Sequence, residues 1–168
     1  MLGLPRGEVF LVPWTIDWVK EFELEKKRIQ DVIGQSIIEV HHIGSTAVKN
    51  LSAKPILDVA IEIKDFHDGV QVSLPLESLG YSYKGTNILP DRHYLIKGEP
   101  RTHQIHMYQS GNKYLLEQLK FRDHLRKNDK DRLEYEQLKL KLAQTNKDNK
   151  HNYADAKTAF IKSIVENN

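Results

Sequence analysis

The chain has 168 residues, with 25 Lys and Arg against 23 Asp and Glu and a net charge of +2 when histidine is neutral. A balance this close gives no electrostatic reason to expect nucleic acid as a partner, and a chain without cysteine has neither disulfides nor thiolate metal sites. No apolar run approaches the roughly 18 residues of a membrane helix, and Pro5 and Gly7 interrupt the N-terminal stretch before a signal-peptide core forms. We therefore expect one cytoplasmic domain over residues 1–168, with no membrane partner.

The first predicted elements are an extended segment over 9–12, ended by Pro13, and a long helix. Thr15 or Asp17 can cap the N-terminus of this helix, and Gly34 is typical of the residue that follows a helix. Apolar residues recur at helical spacing between these points, namely Trp18, Phe22, Ile29 and Ile33. The pattern predicts a helix that packs one apolar stripe against the rest of the fold.

Two strands are predicted next, over 37–43 and 56–63. Strand alternation places residues i and i+2 on the same face. In the second strand one face carries Leu57, Val59, Ile61 and Ile63, and the other carries Asp58, Ala60 and Glu62. Glu62 lies about 13 Å along the strand from Asp58, so these two carboxylates cannot share one ion. Glu62 is expected at an exposed strand end.

The rest of the chain is predicted to contain three more strands and three helices. Gly69 and Pro75 divide the helical pattern over 65–79 into short pieces. The strands cover 81–84, 92–97 and 102–108, two helices follow Asn112 and Asn128, and the last helix covers 153–165 after a polar loop over 145–152. This order predicts an α/β (α+β) fold: a mixed β-sheet of about five strands packed by helices, with a C-terminal helical segment.

A Gly-Ser-Thr turn directly follows the first of the two central strands. Gly44 lets the backbone approach a ligand closely at positive φ, and the hydroxyls of Ser45 and Thr46 suit phosphate oxygens. Lys54 follows nearby as a cation that could neutralise phosphate charge. The alternative is an ordinary Gly-Ser turn without a ligand.

Asp58 is a carboxylate among the apolar residues of the second central strand. Such a position is unfavourable for a charge unless a metal or cation meets it, and phosphoryl or nucleotidyl transfer uses carboxylates to hold Mg²⁺. We therefore predict that Asp58 is a catalytic residue and a magnesium ligand; the alternative is an ion pair with Lys54. The i+2 position, where a second carboxylate would strengthen the site, is Ala60.

Histidines form the next group of candidates. His42 stands just before the turn, and His106 on the last strand could approach it across neighbouring strands. Together with Asp58 they would form a mixed nitrogen and oxygen metal site, or they would carry protons. Alternation directs His103 away from His106, and His103 is retained as a phosphate-binding candidate. The alternative is that each strand histidine is simply hydrogen-bonded.

Cations on the C-terminal helices complete the predicted site. Arg122 and Arg126 are spaced i, i+4 and continue the face begun by Leu115, so their guanidinium groups could enter a pocket and bind phosphate. Tyr153 and Lys157 form a second i, i+4 pair on the last helix. The alternative for both pairs is a solvated or amphipathic helix face.

Six blocks of the sequence together resemble the GrpB family, also called UPF0157. They are 42–48 (HIGSTAV), 53–58 (AKPILD), 101–106 (RTHQIH), 121–126 (FRDHLR), 134–139 (EYEQLK) and 153–157 (YADAK). The resemblance covers nearly the whole length, from residue 11 to the final helix.

The resemblance implies a nucleotidyltransferase-like fold, in which a Gly-Ser turn is followed by a strand with two alternating acids and a third acid lies on a later strand. Gly44, Ser45 and Asp58 match this pattern, whereas Ala60 and the imidazole of His106 stand where the other acids belong. The leading hypothesis is a protein that binds a nucleotide or phosphorylated small molecule and catalyses magnesium-dependent nucleotidyl transfer. The alternative is a non-catalytic nucleotide-binding or accessory module, for which GrpB-like domains fused behind dephospho-CoA kinase suggest a coenzyme A context.

Overall fold

The computed structural model describes residues 2–145 and 150–167, and the side chains within 145–154 fall outside that description. The predicted loop over 145–152 and the side chain of Tyr153 therefore lie outside the described residues, apart from the backbone of 145 and 150–153, which is helical. Within the described part, no helix is both long enough and apolar enough to cross a bilayer.

The structure contains five strands and five α-helices in the described residues. In chain order these are α1 (Ile16–Ile33), β1 (Glu39–Ile43), β2 (Leu57–Ile63), α2 (Gly69–Ser73), β3 (Tyr81–Gly85), β4 (Arg92–Lys97), β5 (His103–Gln109), α3 (Lys113–Lys127), α4 (Asp129–Thr145) and α5 (Lys150–Asn167). The predicted fold class is confirmed. The segment 9–12 is not a strand but makes one isolated bridge, from Val12 to Ala53.

The strands form one mixed sheet in the order β1-β2-β5-β4-β3. Strands β2 and β5 are parallel, and every other neighbouring pair is antiparallel. The parallel pair lies at the centre because the chain leaves β2, builds α2, β3 and β4, and returns to place β5 beside it. Both β2 and β5 are thus paired with a neighbouring strand on each side, and these two strands carry the residues that matter most for the site.

Helix α1 covers one face of the sheet as its apolar stripe predicts. The Thr15 side chain caps the helix by accepting a hydrogen bond from the Asp17 N–H at 3.2 Å. The stripe residues Trp18, Phe22, Ile29 and Ile33 are buried in one cluster with Leu57, Val59, Ile61 and Ile63 of β2. Burying each such side chain stabilises the folded state by about 1.5–3 kcal/mol, so the packing of α1 on this face stabilises the sheet.

The other face of the sheet is only partly covered. Helix α3 packs Leu115 against Ile43, Ala60 and Tyr108. A third apolar cluster joins α3 and α4 to the loop after the turn, through Val48, Leu51, Leu125 and Tyr135. The sheet between these two contacts stays open, and this opening is where the cleft forms.

The segment 65–79 is a set of short helical pieces, as Gly69 and Pro75 predict. The packing around residue 69 also explains why this position is a glycine. A Cβ built on Gly69 would lie 2.0 Å from Nε2 of His93. That nitrogen donates to the Phe66 carbonyl at 2.8 Å, while the Tyr83 hydroxyl donates to Nδ1 at 2.7 Å. The ring is buried and held on both sides, so it cannot yield without losing a hydrogen bond.

We predict that Gly69→Ala lowers the free energy of unfolding by about 1–3 kcal/mol, because it overpacks a filled site. Gly34→Ala is the matched control, since Gly34 also has helical dihedral angles and its added Cβ would meet only Gln30 Cβ at 3.8 Å. That control should be neutral or slightly stabilising. Urea unfolding of both variants measures the difference, and equal stabilities would contradict the steric argument.

Candidate functional site

A cleft of about 390 Å³ opens on the sheet face opposite α1, between the Gly-Ser turn, the ends of β2 and β5, and helices α3, α4 and α5. Eight of the residues predicted from the sequence line it: Gly44, Ser45, Thr46, Lys54, Asp58, His106, Arg122 and Lys157. Sequence positions more than 100 residues apart thus converge here. His42, His103 and Arg126 do not line this cleft.

The turn and the carboxylate meet through Gly44. Ile43 is the register partner of Asp58 on the neighbouring strand, which places the next residue directly beside the carboxyl group. Gly44 has φ 74° and ψ −175°, a conformation that is essentially restricted to glycine. A Cβ there would lie 2.9 Å from Oδ2 of Asp58. The absence of a side chain at residue 44 therefore allows the carboxylate to lie against the turn.

Asp58 is fixed by a chain of hydrogen bonds that runs across three strands. His106 lies 2.9 Å from Asp58 Oδ1 through Nε2, and Arg92 Nη1 lies 3.0 Å from His106 Nδ1. Because a guanidinium group can only donate, Nδ1 accepts and Nε2 carries the proton that it donates to Asp58. Arg92, which selects this tautomer, was not among the residues predicted from the sequence.

The charge state of Asp58 follows from its neighbours. Burial raises the pKa of the carboxyl group, but the hydrogen bond from His106 and the positive charges of Lys157 and Lys54 outweigh burial, so the pKa lies below its usual value. Asp58 is therefore an ionised acceptor at neutral pH, with one oxygen engaged by His106 and the other beside the turn.

Ala60 occupies the strand position at which a second carboxylate would strengthen the site. Its side chain is fully buried beside Ile43, Tyr108 and Leu115 under α3. Glu62, two residues further along, accepts a hydrogen bond from His41 at 2.5 Å and is half-buried rather than at an exposed strand end. On β2, Asp58 is thus the one carboxylate that reaches the cleft.

His42 lies on the opposite face from Asp58, which corrects the predicted metal site. Its register partner is Val59, so its ring points toward α1 and stacks on Phe22 with centroids 4.6 Å apart. Burial and the charge of Arg126 lower the pKa of His42 to about 3, and its Nε2 lies 2.9 Å from Thr46 Oγ1. Asp58, His42 and His106 therefore do not form one metal site, because the sheet separates His42 from the others.

His103 is also on the α1 face, which corrects its assignment as a phosphate-binding residue. It pairs with Leu57 in the parallel register, and its Nε2 lies 3.2 Å from Glu25 and 3.3 Å from Glu21. The predicted alternation between His103 and His106 is correct, and it is this alternation that removes His103 from the cleft.

The two arginines of α3 hold the backbone of the turn. Arg122 Nη1 donates to the His42 carbonyl at 3.0 Å, and Arg126 Nε donates to the Ala47 carbonyl at 2.9 Å. Arg122 also lines the cleft, whereas Arg126 contacts the turn from outside the cleft. The predicted i, i+4 pair is thus directed inward, but one member supports the site instead of lining it.

Helix α4 contributes residues that were not among the site residues predicted from the sequence. Lys139 is buried, and its Nζ donates to the Ser52 carbonyl at 2.6 Å; Glu136 accepts from the Ser52 N–H at 2.9 Å. Burial and the charges of Lys157 and Lys54 lower the pKa of Lys139 well below its usual value. The available signal was its spacing, because Lys139 is i+4 from Tyr135 on the buried stripe.

Tyr135 links α4 to the turn itself. Its ring is buried, stacks on Phe160 at 5.2 Å and meets Phe121 edge-on at 5.1 Å. Burial raises the pKa of the phenol, and the neighbouring Ser45 side chain partly offsets this effect. Tyr135 therefore lies beside Ser45 at the edge of the cleft.

A model of the GrpB protein family matches residues 8–167. The chain belongs to the GrpB family. It is 38% identical over 164 residues to the UPF0157 protein YqkA of Bacillus subtilis (strain 168), an alignment that covers 97% of this chain and 48% of that protein. This GrpB chain thus spans about half the length of that relative.

Solved structures agree with the family. The crystal structure of the conserved protein GrpB from Enterococcus faecalis has a TM-score of 0.86 and 36% identity, over 94% of this chain and 96% of that one. Cid1 in complex with the UTP analogue UMPNPP has a TM-score of 0.51 at 12% identity, over 76% of this chain and 40% of that one. A second structure of Cid1, a poly(U) polymerase, with MgGTP bound has a TM-score of 0.50. At such low identity the likeness to Cid1 shows the fold alone, and this GrpB chain has a nucleotidyltransferase-like fold.

Proposed function

We propose that the cleft binds a nucleotide or a phosphorylated small molecule through its phosphate groups. The supporting observation is the charge of the described residues that line the cleft. Five are lysine or arginine, Lys54, Arg101, Arg122, Lys139 and Lys157, and two are carboxylates, Glu8 and Asp58. Cations enclosed in a cleft interact with phosphate more strongly than the same charges on an open surface, because less water screens them.

The geometry gives each part of the cleft a role in this proposal. The turn at Gly44 and Ser45 offers a close backbone approach at one end of the cleft, and Lys157 and Lys54 stand near enough to Asp58 to lower its pKa. A phosphate placed between the turn and these lysines would be neutralised on one side by ammonium groups. Burial lowers the pKa of Lys139, and an anion bound in the cleft would raise it.

Magnesium fits the donor set only together with a phosphate. Mg²⁺ is commonly held by one or two carboxylates plus substrate phosphate oxygens, and Asp58 supplies one carboxylate whose Oδ2 faces the turn. When bound, the ion would neutralise phosphate charge. Asp58 would hold it, while His106 and Arg92 keep the carboxylate oriented. Neither His42 nor Ala60 adds a ligand.

Nucleotidyl transfer is a second candidate function, favoured by the fold and by the contact between Gly44 and Asp58. In that case His106 would orient Asp58, and the cationic residues would bind the departing phosphates. Ala60 favours the first candidate, a binding module without transfer, because the second carboxylate of the superfamily pattern is replaced by a buried methyl group. A substrate that is consumed only in the presence of Mg²⁺ would distinguish transfer from binding.

We predict that a nucleoside triphosphate with Mg²⁺ raises the melting temperature of the wild-type chain, because ligand binding to the folded state stabilises it. Lys157→Met should weaken that binding about 10-fold, as expected for loss of one charge-assisted phosphate contact. Lys113→Met is the matched control, since the Lys113 side chain is 84% exposed and outside the cleft. Equal ligand shifts in both variants, or no shift in the wild type, would contradict the proposal.

A further inference from the structure

A second group of ligand-type side chains lies on the face of the sheet that α1 covers. Glu21 and Glu25 of α1 and His103 of β5 each offer one ligand atom, and these atoms all lie within 4.8 Å of one another. The sheet separates this group from the cleft, because His103 is the register partner of Leu57 rather than of Asp58. The group is therefore independent of the proposed phosphate site.

Two of the three side chains carry buried atoms that have ion-pair contacts but no hydrogen bond. Glu25 is 0% exposed and His103 is 5% exposed. Among the described residues, Glu25 Oε1 and His103 Nε2 find no hydrogen-bond partner, although both are buried. Buried polar atoms in folded proteins are nearly always satisfied, so these two atoms require an explanation.

Thr102 orients the imidazole for a ligand role. Its hydroxyl donates to the Lys97 carbonyl at 3.3 Å and lies 2.8 Å from His103 Nδ1. With its proton used for that carbonyl, the hydroxyl accepts from Nδ1–H, so the lone pair of Nε2 faces two carboxylates. An imidazole whose second nitrogen donates to a protein oxygen is the usual arrangement at a metal.

We propose that Glu21, Glu25 and His103 form a binding site for a transition-metal dication, with zinc as the best match. Two carboxylates and one imidazole make a mixed oxygen and nitrogen donor set, which suits zinc and not magnesium. The Nε2 atom lies 3.2 Å from Glu25 and 3.3 Å from Glu21. Ligands at about 2.0–2.1 Å from a tetrahedral ion are about 3.3 Å apart, so the two distances from the imidazole already match that spacing.

Lys97 already pairs with Glu25, one of the three proposed ligands. Its ammonium forms an ion pair with Glu25 Oε2, to which the Tyr81 hydroxyl also donates at 2.9 Å, and Arg28 lies 3.5 Å from Oε1. The Lys97 side chain is 18% exposed and Glu21 is 30% exposed, so the lysine can withdraw toward solvent and an ion can enter past Glu21. Lysine and metal therefore compete for one carboxylate cluster, and the bound ion would tie α1 to β5.

Calorimetric titration of the chelator-treated chain with Zn²⁺, and with Co²⁺ as a spectroscopic probe, tests the site. We expect one Zn²⁺ per chain, visible d–d absorption of bound Co²⁺, and about 100-fold weaker binding for Glu25→Gln and His103→Asn. Lys97→Met should bind Zn²⁺ more tightly than the wild type, because the competing ammonium is gone. A misfolded variant cannot produce that gain.

The matched control is Glu62→Gln, which alters a carboxylate that accepts from His41 on the same sheet but lacks a second carboxylate in reach of the ring. It should leave the Zn²⁺ affinity unchanged. Zn²⁺ binding that Lys97→Met weakens, or that Glu25→Gln and His103→Asn leave intact, would overturn the proposal, as would no binding at all. In each of those cases the group is an ion-pair cluster that joins α1 to the sheet.

Discussion

In the Asp58→Asn variant, the contribution of Mg²⁺ to nucleotide binding is expected to disappear. The amide oxygen can still accept the hydrogen bond from His106, so the substitution removes the charge and keeps the shape. Loss of the carboxylate that holds the ion should lower affinity for a nucleoside triphosphate in Mg²⁺ by about 10- to 100-fold, and any magnesium-dependent turnover should be lost. Titrations with and without Mg²⁺ measure the effect.

Glu62→Gln is the control for this variant, because Glu62 lies on the same strand and face and also accepts a hydrogen bond from a histidine. It should bind nucleotide as the wild type does. If Asp58→Asn instead bound nucleotide more tightly, Asp58 would be repelling the phosphate, and the role assigned to Mg²⁺ would be wrong. The cationic cleft would then bind phosphate without an ion.

Acid unfolding gives an independent readout of the same carboxylate. The folded pKa of Asp58 lies below its ordinary value of 3.8, so the unfolded state binds the proton more readily than the folded state. The stabilisation from Asp58 is therefore full above about pH 4 and is lost as the pH falls through the folded pKa. The difference in unfolding free energy between wild type and Asp58→Asn should shrink over that acidic range.

The parts of the fold that repeat with a local period could be predicted from the sequence. The stripe from Trp18 to Ile33 identified α1, and alternation in β2 separated the buried face from the face of Asp58. The C-terminal helices followed from the change of period after Asn112. In each case the signal lies within a few residues of the element that it describes.

The contacts that build the site depend on register and on distant segments, and these could not be predicted in the same way. A one-residue shift between neighbouring strands exchanges the faces. His42 was expected beside Asp58, but Ile43 takes that register position and turns His42 toward α1. Lys139 reaches Ser52 across 87 positions of sequence, and no local pattern specifies such a partner.

The second large effect is expected for Gly44→Ala, which should destabilise the fold and disable the cleft together. The backbone at residue 44 has φ 74° and ψ −175°, and a non-glycine residue there costs about 1–3 kcal/mol. The new methyl group would also lie 2.9 Å from Asp58 Oδ2 and 3.3 Å from its Cβ, a crowding that costs about 1–3 kcal/mol more. The unfolding free energy should fall by about 2–6 kcal/mol.

Gly111→Ala separates the two causes. Gly111 also has a positive φ, of 85°, but nothing lies within 4 Å of its added Cβ, so we expect only the backbone contribution of about 1–2 kcal/mol. A double-mutant cycle then isolates the contact: Gly44→Ala should cost less in an Asp58→Ala background, because the crowded oxygen is absent. Additive losses would show that the methyl group and the carboxylate do not meet, and that the closeness of turn and carboxylate is not what requires glycine at this position.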